Sequence, residues 1–443
     1  MAKTPHSRDR LYGELKFPEL ISELMSCPGI MRLREVRMAN VPFVEFPSFS
    51  AVTRHEHSLG VCHLAGLCAD EIGLSPTDKH ELMIAALYHD VGTPPFAHAV
   101  EEVLKLRFGF DHEQNLHDLI AGKASGLGGQ QTQVFLGRRL LLHSVLQGAR
   151  ARKLGLDPYR IADIATGGSQ NWLSTLVCSR GVDLDNIDNV VRACTAMGFR
   201  SWDERLSLRL AKSFVPHEGA VALDASEMDS FGQWQRARRT LYDAIYTDVL
   251  DFSMQTMLKT AVHALVDSEG DSTVGAMSPE DWKLTDQELV QERFMQHPVA
   301  KGIVVRMRLG RPYAALAVLY VAGSGATSAL VERLEAIEEI GADVFQPKKS
   351  DGSPRGPRRP EVVANYFPDK RHRVLRKQFA FLGAELEMHS PASDSEGAIL
   401  GVFTPQSMRA TVQQRATFAE SIEAILPGGL RVRPFHSDGL AAD

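Results

Sequence analysis

Histidine and acidic residues recur in an ordered series in the first half of the chain. The first stretch, RHEH, covers residues 54–57, and the pair His89-Asp90 ends an apolar run that leads at once into a Gly-Pro loop. Burying a carboxylate there is costly unless a cation pairs with it. A divalent metal is an economical partner, because imidazoles and carboxylates together suit six-coordinate Mn, Fe, Co, Ni or Mg. A histidine on an apolar helix face is otherwise a hydrogen-bonded core residue, and the spacing alone leaves both interpretations open.

Helices must position most of these side chains. Apolar residues recur at spacings of three and four over Leu59–Cys68, Leu82–Leu87 and Trp234–Leu265, a period typical of helices. Ser75 or Thr77 is predicted to cap the second of these helices, with Gly and Pro marking the loops between them. The sequence therefore predicts a mostly helical region.

The composition changes after residue 265. Ile303–Val305 and Ala317–Val321 are rich in β-branched and aromatic residues and are predicted to form strands, and Ala329–Ile340 is predicted to be a helix between strands. The fold class is therefore predicted as mostly α, with a helical domain over residues 1–265 and a smaller C-terminal α/β region over 266–443.

Composition excludes several classes of protein. The 443 residues are 44% hydrophobic and 23% charged, which is ordinary for a globular protein and excludes disordered chains and disulfide scaffolds. The five cysteines form no CxxC pair, and we interpret them as reduced core thiols. Because the chain shows neither a signal peptide nor an 18-residue apolar run, we expect a cytoplasmic protein without a membrane span.

One segment departs from the overall acidic balance. The chain has a net charge of −6, whereas residues 346–377 carry ten Lys and Arg against three Asp and Glu, a net +7. Charge runs are usually solvated loops. The alternative is a polyanion site for a nucleotide effector or nucleic acid.

The ordered series resembles the HD superfamily of metal-dependent phosphohydrolases, and more narrowly its deoxynucleoside-triphosphate triphosphohydrolase branch. The resemblance covers residues 9–250 and is carried by DRLYG (9–13), MRLR (31–34), RHEHSLG (54–60), YHDVGTPPFAH (88–98), DHE (111–113) and VDLDNID (182–188). It implies a helical core, a divalent metal cofactor and hydrolysis of a dNTP to a deoxynucleoside and tripolyphosphate. By analogy with relatives, it also implies a homo-oligomer.

Site residues follow from the resemblance position by position. It implies metal ligands at His57, His89, Asp90 and Asp185, catalytic residues at His98, Glu101 and His112 with Glu113 beside them, and substrate-binding residues at Arg54, Arg238 and Tyr246. A carboxylate that accepts a histidine N–H fixes the tautomer of the imidazole and supports its charged form.

Some positions depart from the pattern of the family. Thr93 stands where many members have a His, Asn186 and Asn189 replace a Lys and a Tyr that face phosphate and sugar, Ala193 replaces an Asp near the sugar 3′-hydroxyl, and Met38 stands where a Gln contacts that hydroxyl. A site that hydrogen-bonds a hydroxyl rejects analogues without it strongly. The departures therefore indicate relaxed sugar selection or a different nucleotide.

Two alternatives remain open at this point. An HD phosphohydrolase could act on another nucleotide or a phosphomonoester, and a non-catalytic nucleotide or nucleic-acid sensor could use the basic segment 346–377. Tripolyphosphate release, orthophosphate release and binding without turnover distinguish the three functions.

Overall fold

A computed structural model describes residues 6–41, 43, 45–123, 142–168, 171–178, 182–200, 202–203, 205–217, 220–267, 277–346, 360–369, 381–382 and 397–435. The chain divides into two compact units. The first unit contains residues 1–241, 268–296 and 377–387, and the second contains residues 242–267, 297–376 and 388–443. Each unit consists of three separate segments of the chain, whereas the sequence predicted two domains divided once, at residue 265. That boundary stays a prediction.

Helices dominate the first unit, which agrees with the predicted fold class. They are α1 (Glu19–Leu24), α2 (Pro28–Arg32), α3 (Pro47–Ser50), α4 (Arg54–Glu71), α5 (Pro76–Tyr88), α6 (His98–Phe108), α7 (His112–Ala121), α8 (Leu142–Leu146), α9 (Ala149–Leu154), α10 (Pro158–Ala165), α11 (Ser174–Val177), α12 (Leu184–Ala196), α13 (Leu206–Lys212), most of α14 (Met228–Thr247) and α16 (Asp286–Glu292). Short 3-10 helices cover Leu33–Glu35, Ala225–Glu227, Pro279–Lys283 and Phe294–Gln296.

Capping residues set where α4 and α5 begin. Thr53 and Glu56 form a reciprocal capping box at the start of α4. Ser75 accepts a hydrogen bond from the Asp78 N–H at the start of α5, so the predicted Ser75 cap is confirmed. Pro76 occupies the first position of α5, where its missing N–H is not needed.

A glycine allows α4 and α12 to approach each other closely. A Cβ atom built on Gly60 of α4 would lie 2.2 Å from Asp188 Oδ2 and 2.4 Å from Arg192 Nη2, both on α12. Any larger residue at position 60 would push the two helices apart. This contact fixes the distance between the helices that carry the first and last members of the ordered series.

Two small sheets complete the first unit. Strands β1 (His6–Asp9) and β2 (Gly13–Lys16) form an antiparallel hairpin in which Asp9 pairs with Gly13. Strands β3 (Phe214–His217) and β4 (Ala220–Asp224) form a second antiparallel hairpin. The two-residue strand β7 (Phe381–Leu382) runs parallel to β4. The sequence did not predict these hairpins, because strands of four or five residues are too short to show a clear alternation.

The second unit is built on a four-stranded antiparallel sheet. Its order is β6 (Val363–Pro368), β8 (Gly397–Thr404), β5 (Ala314–Ala322) and β9 (Arg431–Pro434), with helices α15 (Val249–Asp267), α17 (Pro298–Arg308), α18 (Ala326–Val331), α19 (Leu334–Val344) and α20 (Val412–Ile425). The apolar core combines sheet residues such as Leu400 and Val402 with helix residues such as Phe418 and Ile422. The predicted strand at Ala317–Val321 and the α/β character of this region are confirmed.

The predicted strand at Ile303–Val305 is wrong, because these residues lie in α17. Pro298 occupies the first turn of the helix, and the His297 side chain accepts a hydrogen bond from the Ala300 N–H at 3.2 Å. The buried residues Ala300, Ile303, Val304 and Met307 have the spacing of one helix face. Packing of that face overrides the β propensity of the Ile-Val-Val run.

Two predicted helices are each broken once. The Trp234–Leu265 helix divides at Asp248, whose Oδ1 accepts the N–H groups of Leu250 at 2.8 Å and Asp251 at 3.0 Å and so caps α15. The Ala329–Ile340 helix divides between α18 and α19, where Arg333 leaves helical geometry at φ −123°.

Other expectations concern the surface and the thiols. In the part of the chain that the structure describes, no helix is both long and apolar enough to cross a bilayer. Cys27, Cys62, Cys68 and Cys194 are buried thiols, as expected for core cysteines. Most of the basic segment 346–377 lies outside the described residues, which include only residues 346 and 360–369 of it.

Candidate metal centre

The four side chains implied as metal ligands converge at one place in the first unit. His57 Nε2 lies 2.9 Å from Asp185 Oδ1 and 3.2 Å from His89 Nε2. Asp90 Oδ2 lies 3.9 Å from His57 Nε2 and 3.7 Å from His89 Nε2. Helix α4 supplies His57, the turn after α5 supplies His89 and Asp90, and the first turn of α12 supplies Asp185. We call this group the metal cluster.

Hydrogen bonds outside the cluster orient both imidazoles. His89 Nδ1 donates to the Ala86 carbonyl at 2.8 Å, and a carbonyl can only accept, so Nδ1 carries the proton. His57 Nδ1 lies 2.7 Å from Asp188 Oδ1, a carboxylate that likewise accepts. In neutral imidazoles these partners leave the lone pairs of both Nε2 atoms directed at the cluster, which is the tautomer a metal ligand needs.

Asp90 holds a buried oxygen that a cation would satisfy. Its Oδ1 accepts hydrogen bonds from Arg54 Nη1 at 2.5 Å and the Thr93 hydroxyl at 3.2 Å. Its Oδ2 is buried and has no hydrogen-bond partner among the described residues. An unpaired buried carboxylate oxygen is costly. Together with two oriented imidazole nitrogens it forms a donor set that fits one divalent ion.

The electrostatics of the cluster favour positive charge. Burial opposes a charged imidazole at His57, but hydrogen bonds and the charges of Asp185 and Asp188 raise its pKa to about 10. Burial also opposes ionisation of Asp90, but the positive charges of Arg54, His89 and His57 hold the pKa of that carboxyl well below its usual range. The carboxylates of the cluster are therefore anionic at neutral pH and hold a proton on His57, and a bound metal cation would take the place of that proton.

A buried network behind His57 is a feature that the sequence interpretation missed. Asp188 Oδ1 accepts from Arg192 Nε at 2.8 Å as well as from His57, and its Oδ2 accepts the Tyr12 hydroxyl at 2.7 Å. Arg192 Nη1 donates to Asp9 Oδ2 at 2.8 Å. The signal lay in the helical spacing, because Asp188 is three residues after Asp185 and four before Arg192, so all three share a face of α12. The network fixes His57 from the side opposite the cluster.

The implied catalytic residues form a second group, which we call the His–Glu–His group. Glu101 on α6 bridges two imidazoles: its Oε2 lies 3.0 Å from His98 Nδ1, and its Oε1 forms a short contact with His112 Nδ1 at the start of α7. His98 is exposed, with 69% of its side-chain surface accessible, whereas Glu101 is largely buried. The imidazole of His98 is therefore the more accessible of the two, since 29% of the His112 side-chain surface is exposed.

Charge within the His–Glu–His group is shared. Burial raises the pKa of Glu101, but hydrogen bonds and the charges of His112 and His98 hold it well below its usual range. Burial lowers the pKa of His112, yet the hydrogen bond and charge of Glu101 raise it overall, with smaller contributions from Glu113 and Asp90. The loop after Asp90 packs closely on the start of α7, because a Cβ atom built on Gly92 would lie 2.6 Å from the main-chain oxygen of His112.

The remaining implied residues lie in different surroundings. Arg54 is paired with Asp90, and Glu113 is exposed in the first turn of α7. Arg238 is buried in the first unit. Tyr246 belongs to the second unit, where its hydroxyl donates to the Pro368 carbonyl at 3.0 Å. The substrate-binding roles of Arg54, Arg238 and Tyr246 stay predictions.

The departures from the family pattern have local partners. The Thr93 hydroxyl holds Asp90. Asn186 Nδ2 donates to Asp183 Oδ1 at 2.9 Å, within the capping arrangement of α12. Ala193 is buried at 1% exposure on that helix. The family pattern has a His, a Lys and an Asp at these three positions, and none of the three side chains here carries the same functional group.

Comparison with known proteins supports the resemblance. Residues 54–134 match the family model of the HD domain. An uncharacterized protein of Methanocaldococcus jannaschii is 24% identical over 258 residues, which cover 58% of this chain and 48% of that protein. The deoxynucleoside triphosphate triphosphohydrolase SAMHD1 of Bos taurus is 25% identical over 274 residues, 57% of this chain and 46% of that protein. Its Dictyostelium discoideum homolog is 33% identical over 100 residues, 21% of this chain and 19% of that protein.

The resemblance to HD-domain proteins and to triphosphohydrolase relatives, made from the motifs, is thereby confirmed at low identity. The match to the HD model includes His57, His89 and Asp90 and the whole His–Glu–His group. The matched part of the chain spans 48%, 46% and 19% of the length of these three curated relatives, in the order given, so about half of each or less.

Proposed function

We propose that this chain is a metal-dependent phosphohydrolase that converts a deoxynucleoside triphosphate to a deoxynucleoside and tripolyphosphate. The observation that carries the proposal is the metal cluster, in which His57, His89 and Asp90 offer ligand atoms within 4.8 Å of one another and Asp90 Oδ2 has no hydrogen-bond partner among the described residues. The family-model match and the triphosphohydrolase relatives support the reaction class.

The metal cluster supplies the cation site. A divalent ion held by His57, His89, Asp90 and Asp185 would contribute Lewis acidity toward a phosphoryl oxygen. The chain itself orients these ligands through Asp188 and the Ala86 carbonyl. Arg54 donates to Asp90 Oδ1, and its guanidinium is the group proposed to bind a substrate phosphate.

The His–Glu–His group supplies proton transfer. Glu101 stays ionised, holds the Nδ1 atoms of His98 and His112, and supports a charged imidazole. Because His98 is exposed and its Nδ1 faces Glu101, its Nε2 is the atom left to exchange a proton with attacking water or the departing 5′-oxygen. Glu113 adds negative charge near His112 and contributes to raising the pKa of that imidazole.

Sugar selection is proposed to be relaxed. Asn186 is engaged with Asp183, and Ala193 has no polar group, so neither provides the contact that the family pattern would place at phosphate or sugar. Discrimination through a hydroxyl depends on such polar partners. Nucleotides that lack the 3′-hydroxyl, such as 2′,3′-dideoxynucleotides, are therefore expected to be hydrolysed at rates nearer to those of deoxynucleotides than in an enzyme that binds this hydroxyl.

Product analysis tests the proposal. The purified chain is incubated with dNTP and NTP panels in Mn or Mg, and phosphate products are separated by ion exchange. Tripolyphosphate with a free nucleoside supports the proposal. Orthophosphate or pyrophosphate instead supports an HD phosphohydrolase of other specificity, and binding without turnover supports a sensor.

The homo-oligomer and the polyanion site at 346–377 belong to the same proposal. Charge reversal at Arg358, Arg359, Arg371 and Arg373 should weaken nucleotide activation or nucleic-acid binding and leave the metal content unchanged. Contacts to many phosphates would make nucleic-acid affinity fall steeply with salt, whereas a nucleotide effector would give a shallower slope. If the reversed variant equals wild type in activation, nucleic-acid binding and oligomeric state, the segment is a solvated loop.

A further inference from the structure

The loop between the metal cluster and the His–Glu–His group holds an unfavourable backbone geometry. Residues 91–97 connect Asp90 to His98, and within them Phe96 has φ 55° and Ala97 has φ 48°. They are the non-glycine residues with positive φ in the described part of the chain. Non-glycine residues rarely adopt this region, and they persist there only when surrounding contacts enforce it. The contacts that enforce it must therefore act on residues 91–97 directly.

A distant carboxylate binds the strained turn. Asp286, at the start of α16, accepts the Phe96 N–H at 2.8 Å through Oδ1 and the Arg37 N–H at 3.1 Å through Oδ2. Asp286 is buried at 6% exposure. The Phe96 ring also packs against Phe294, with ring centroids 6.2 Å apart. Both oxygens of one buried carboxylate are thus used to fix main-chain groups.

A buried guanidinium holds the other end of the same loop. Arg32 donates through Nη2 to the carbonyls of Val91 at 3.1 Å and Thr93 at 2.5 Å. Through Nη1 it donates to the carbonyls of Trp282 at 3.2 Å and Leu284 at 2.8 Å. Arg32 therefore ties the loop to the segment that carries Asp286.

That segment, residues 277–296, is remote in sequence from the loop it contacts. It follows α15, which belongs to the second unit, yet it is part of the first compact unit. It also lies outside the residues that match the HD domain model. A segment needed only to cover apolar surface would not require its own buried carboxylate, and a buried guanidinium from α2, to bind main-chain groups of that loop.

We propose that Asp286 is a positioning residue for the reaction: by accepting the Phe96 N–H it holds the turn that starts α6, and so orients His98 and Glu101 in the first turn of that helix. The inference rests on the proposed function for the role of His98. It assigns a role in catalysis to residues 277–296, a segment that includes neither the HD motif nor a residue of the metal cluster.

A double-mutant cycle on kcat tests the positioning role. Asp286→Ala removes both acceptor oxygens, and we expect kcat to fall by about 10–100-fold with KM little changed, because small misplacements of a catalytic group cost about that much. The His98→Ala variant measures how far kcat falls when the imidazole that Asp286 positions is absent. The fall in kcat caused by Asp286→Ala should then be smaller in the His98→Ala background than in wild type. Losses that multiply in the double variant would show that Asp286 acts through stability or the metal cluster, and would overturn the proposal.

Two further variants separate positioning from folding. Asp286→Asn keeps the size of the side chain but can accept only one of the two N–H groups, so its kcat should lie between wild type and Asp286→Ala. Asp281→Asn is the matched control: Asp281 is a buried carboxylate in the same segment, paired with Arg293 at 2.8 Å. It should lower the melting temperature without changing kcat at temperatures where the protein is folded. If Asp281→Asn lowered kcat as much as Asp286→Asn, the segment would be structural only.

A readout independent of turnover keeps the two proposals apart. Hydrogen exchange of the Phe96 amide, followed by NMR or fragment mass spectrometry, should accelerate at least about tenfold in Asp286→Ala and not in Asp281→Asn, since an amide without its acceptor exchanges by easier local opening. Bound Mn per chain should be the same in all variants. Should wild type hydrolyse no nucleotide while this exchange pattern holds, the proposed function fails and the contact stands. Unchanged Phe96 exchange in Asp286→Ala would refute the contact itself.

Discussion

The metal cluster and the His–Glu–His group are held in place by different means. His57 lies near the start of α4, and His89 directly follows α5. The Nδ1 atom of each imidazole is fixed by a partner on a neighbouring or preceding helix, Asp188 and the Ala86 carbonyl respectively. His98 instead follows a strained turn, and its ring is largely exposed. The cluster is thus preorganised by helix packing, whereas the His–Glu–His group depends on contacts from a remote segment.

This difference has a functional consequence. Ligands fixed by helices and a buried network bind an ion in one geometry and tolerate little change. A proton-transfer group on a braced turn can be adjusted by substitutions far from the chemistry. We therefore expect substitutions at the cluster to remove activity through loss of the ion, and substitutions at the His–Glu–His group to lower the rate while the ion stays bound.

The largest effect is expected from loss of a cluster ligand. In Asp90→Asn or His89→Ala, kcat should fall by at least about 10⁴-fold, because enzymes accelerate reactions by about 10⁶-fold or more and the ion supplies much of that. Bound metal, measured by elemental analysis, should fall with activity. His80→Ala, on the same helix α5 but outside the cluster, is the control and should retain both. Full turnover by either ligand variant would remove the cluster from the reaction.

A smaller effect is expected from the His–Glu–His group. His98→Ala and His112→Ala should each lower kcat by about 10²–10⁴-fold, which is typical of a lost general acid or base. The metal content should equal that of wild type, and this sets the group apart from the cluster. If both variants kept near-full kcat, proton transfer would have to come from elsewhere in the site.

The network behind His57 should act on metal affinity. Asp188→Asn removes the charge that fixes His57 and should weaken metal binding by about 10–100-fold, the usual cost of losing such an outer partner. Tyr12→Phe removes one donor to Asp188 and should have a smaller effect. The metal dissociation constant, measured by competition with a chelating dye, distinguishes the variants. Equal affinities in Asp188→Asn and wild type would mean that helix packing alone orients His57.

The smallest effect concerns stability and pH. The pKa of His112 is raised by Glu101, so its charged form stabilises the fold below the ordinary histidine value of about 6.5, and this contribution is lost as the pH rises through the raised pKa. The pKa of Glu101 is lowered, so its contribution is present above about 4.3 and lost as the pH falls. The pair therefore stabilises most between these values.

His112→Gln tests that window in chelator-treated protein. The melting temperature of wild type should exceed that of the variant by about 2 °C between pH 5 and pH 6, since partial exposure weakens the pair. The difference should shrink toward alkaline pH. A difference that stays constant from pH 5 to pH 9 would show that His112 contributes packing rather than charge.

The sequence predicted the parts of the site that lie on regular helices. His57 and the His89-Asp90 pair could be placed because apolar periodicity located α4 and α5 and the Gly-Pro loop marked the end of α5. The assignment of all four residues, including Asp185, as ligands of one metal came from the resemblance to a family. Asp188 could have been found from its helical spacing to Asp185 and Arg192, which was visible in the sequence but not used.

Contacts between distant segments could not be predicted in this way. Asp286 and Arg32 look like ordinary surface charges in the sequence, and nothing local indicates that both contact the loop 91–97. Similarly, Ile303–Val305 has strand propensity, and only its packing partners make it a helix face. Local propensity describes elements, whereas burial of a charge or of a β-branched face is decided by residues far along the chain.

One measurement tests the central claim most directly: anomalous diffraction at the Mn edge from crystals of the wild-type chain grown with Mn²⁺. The account predicts one strong peak in the first unit, about 2.0–2.4 Å from ligand atoms of His57, His89, Asp90 and Asp185, the range for nitrogen and oxygen donors. A peak that omits Asp90 or the histidines, or ligand side chains divided among separate peaks, would contradict it.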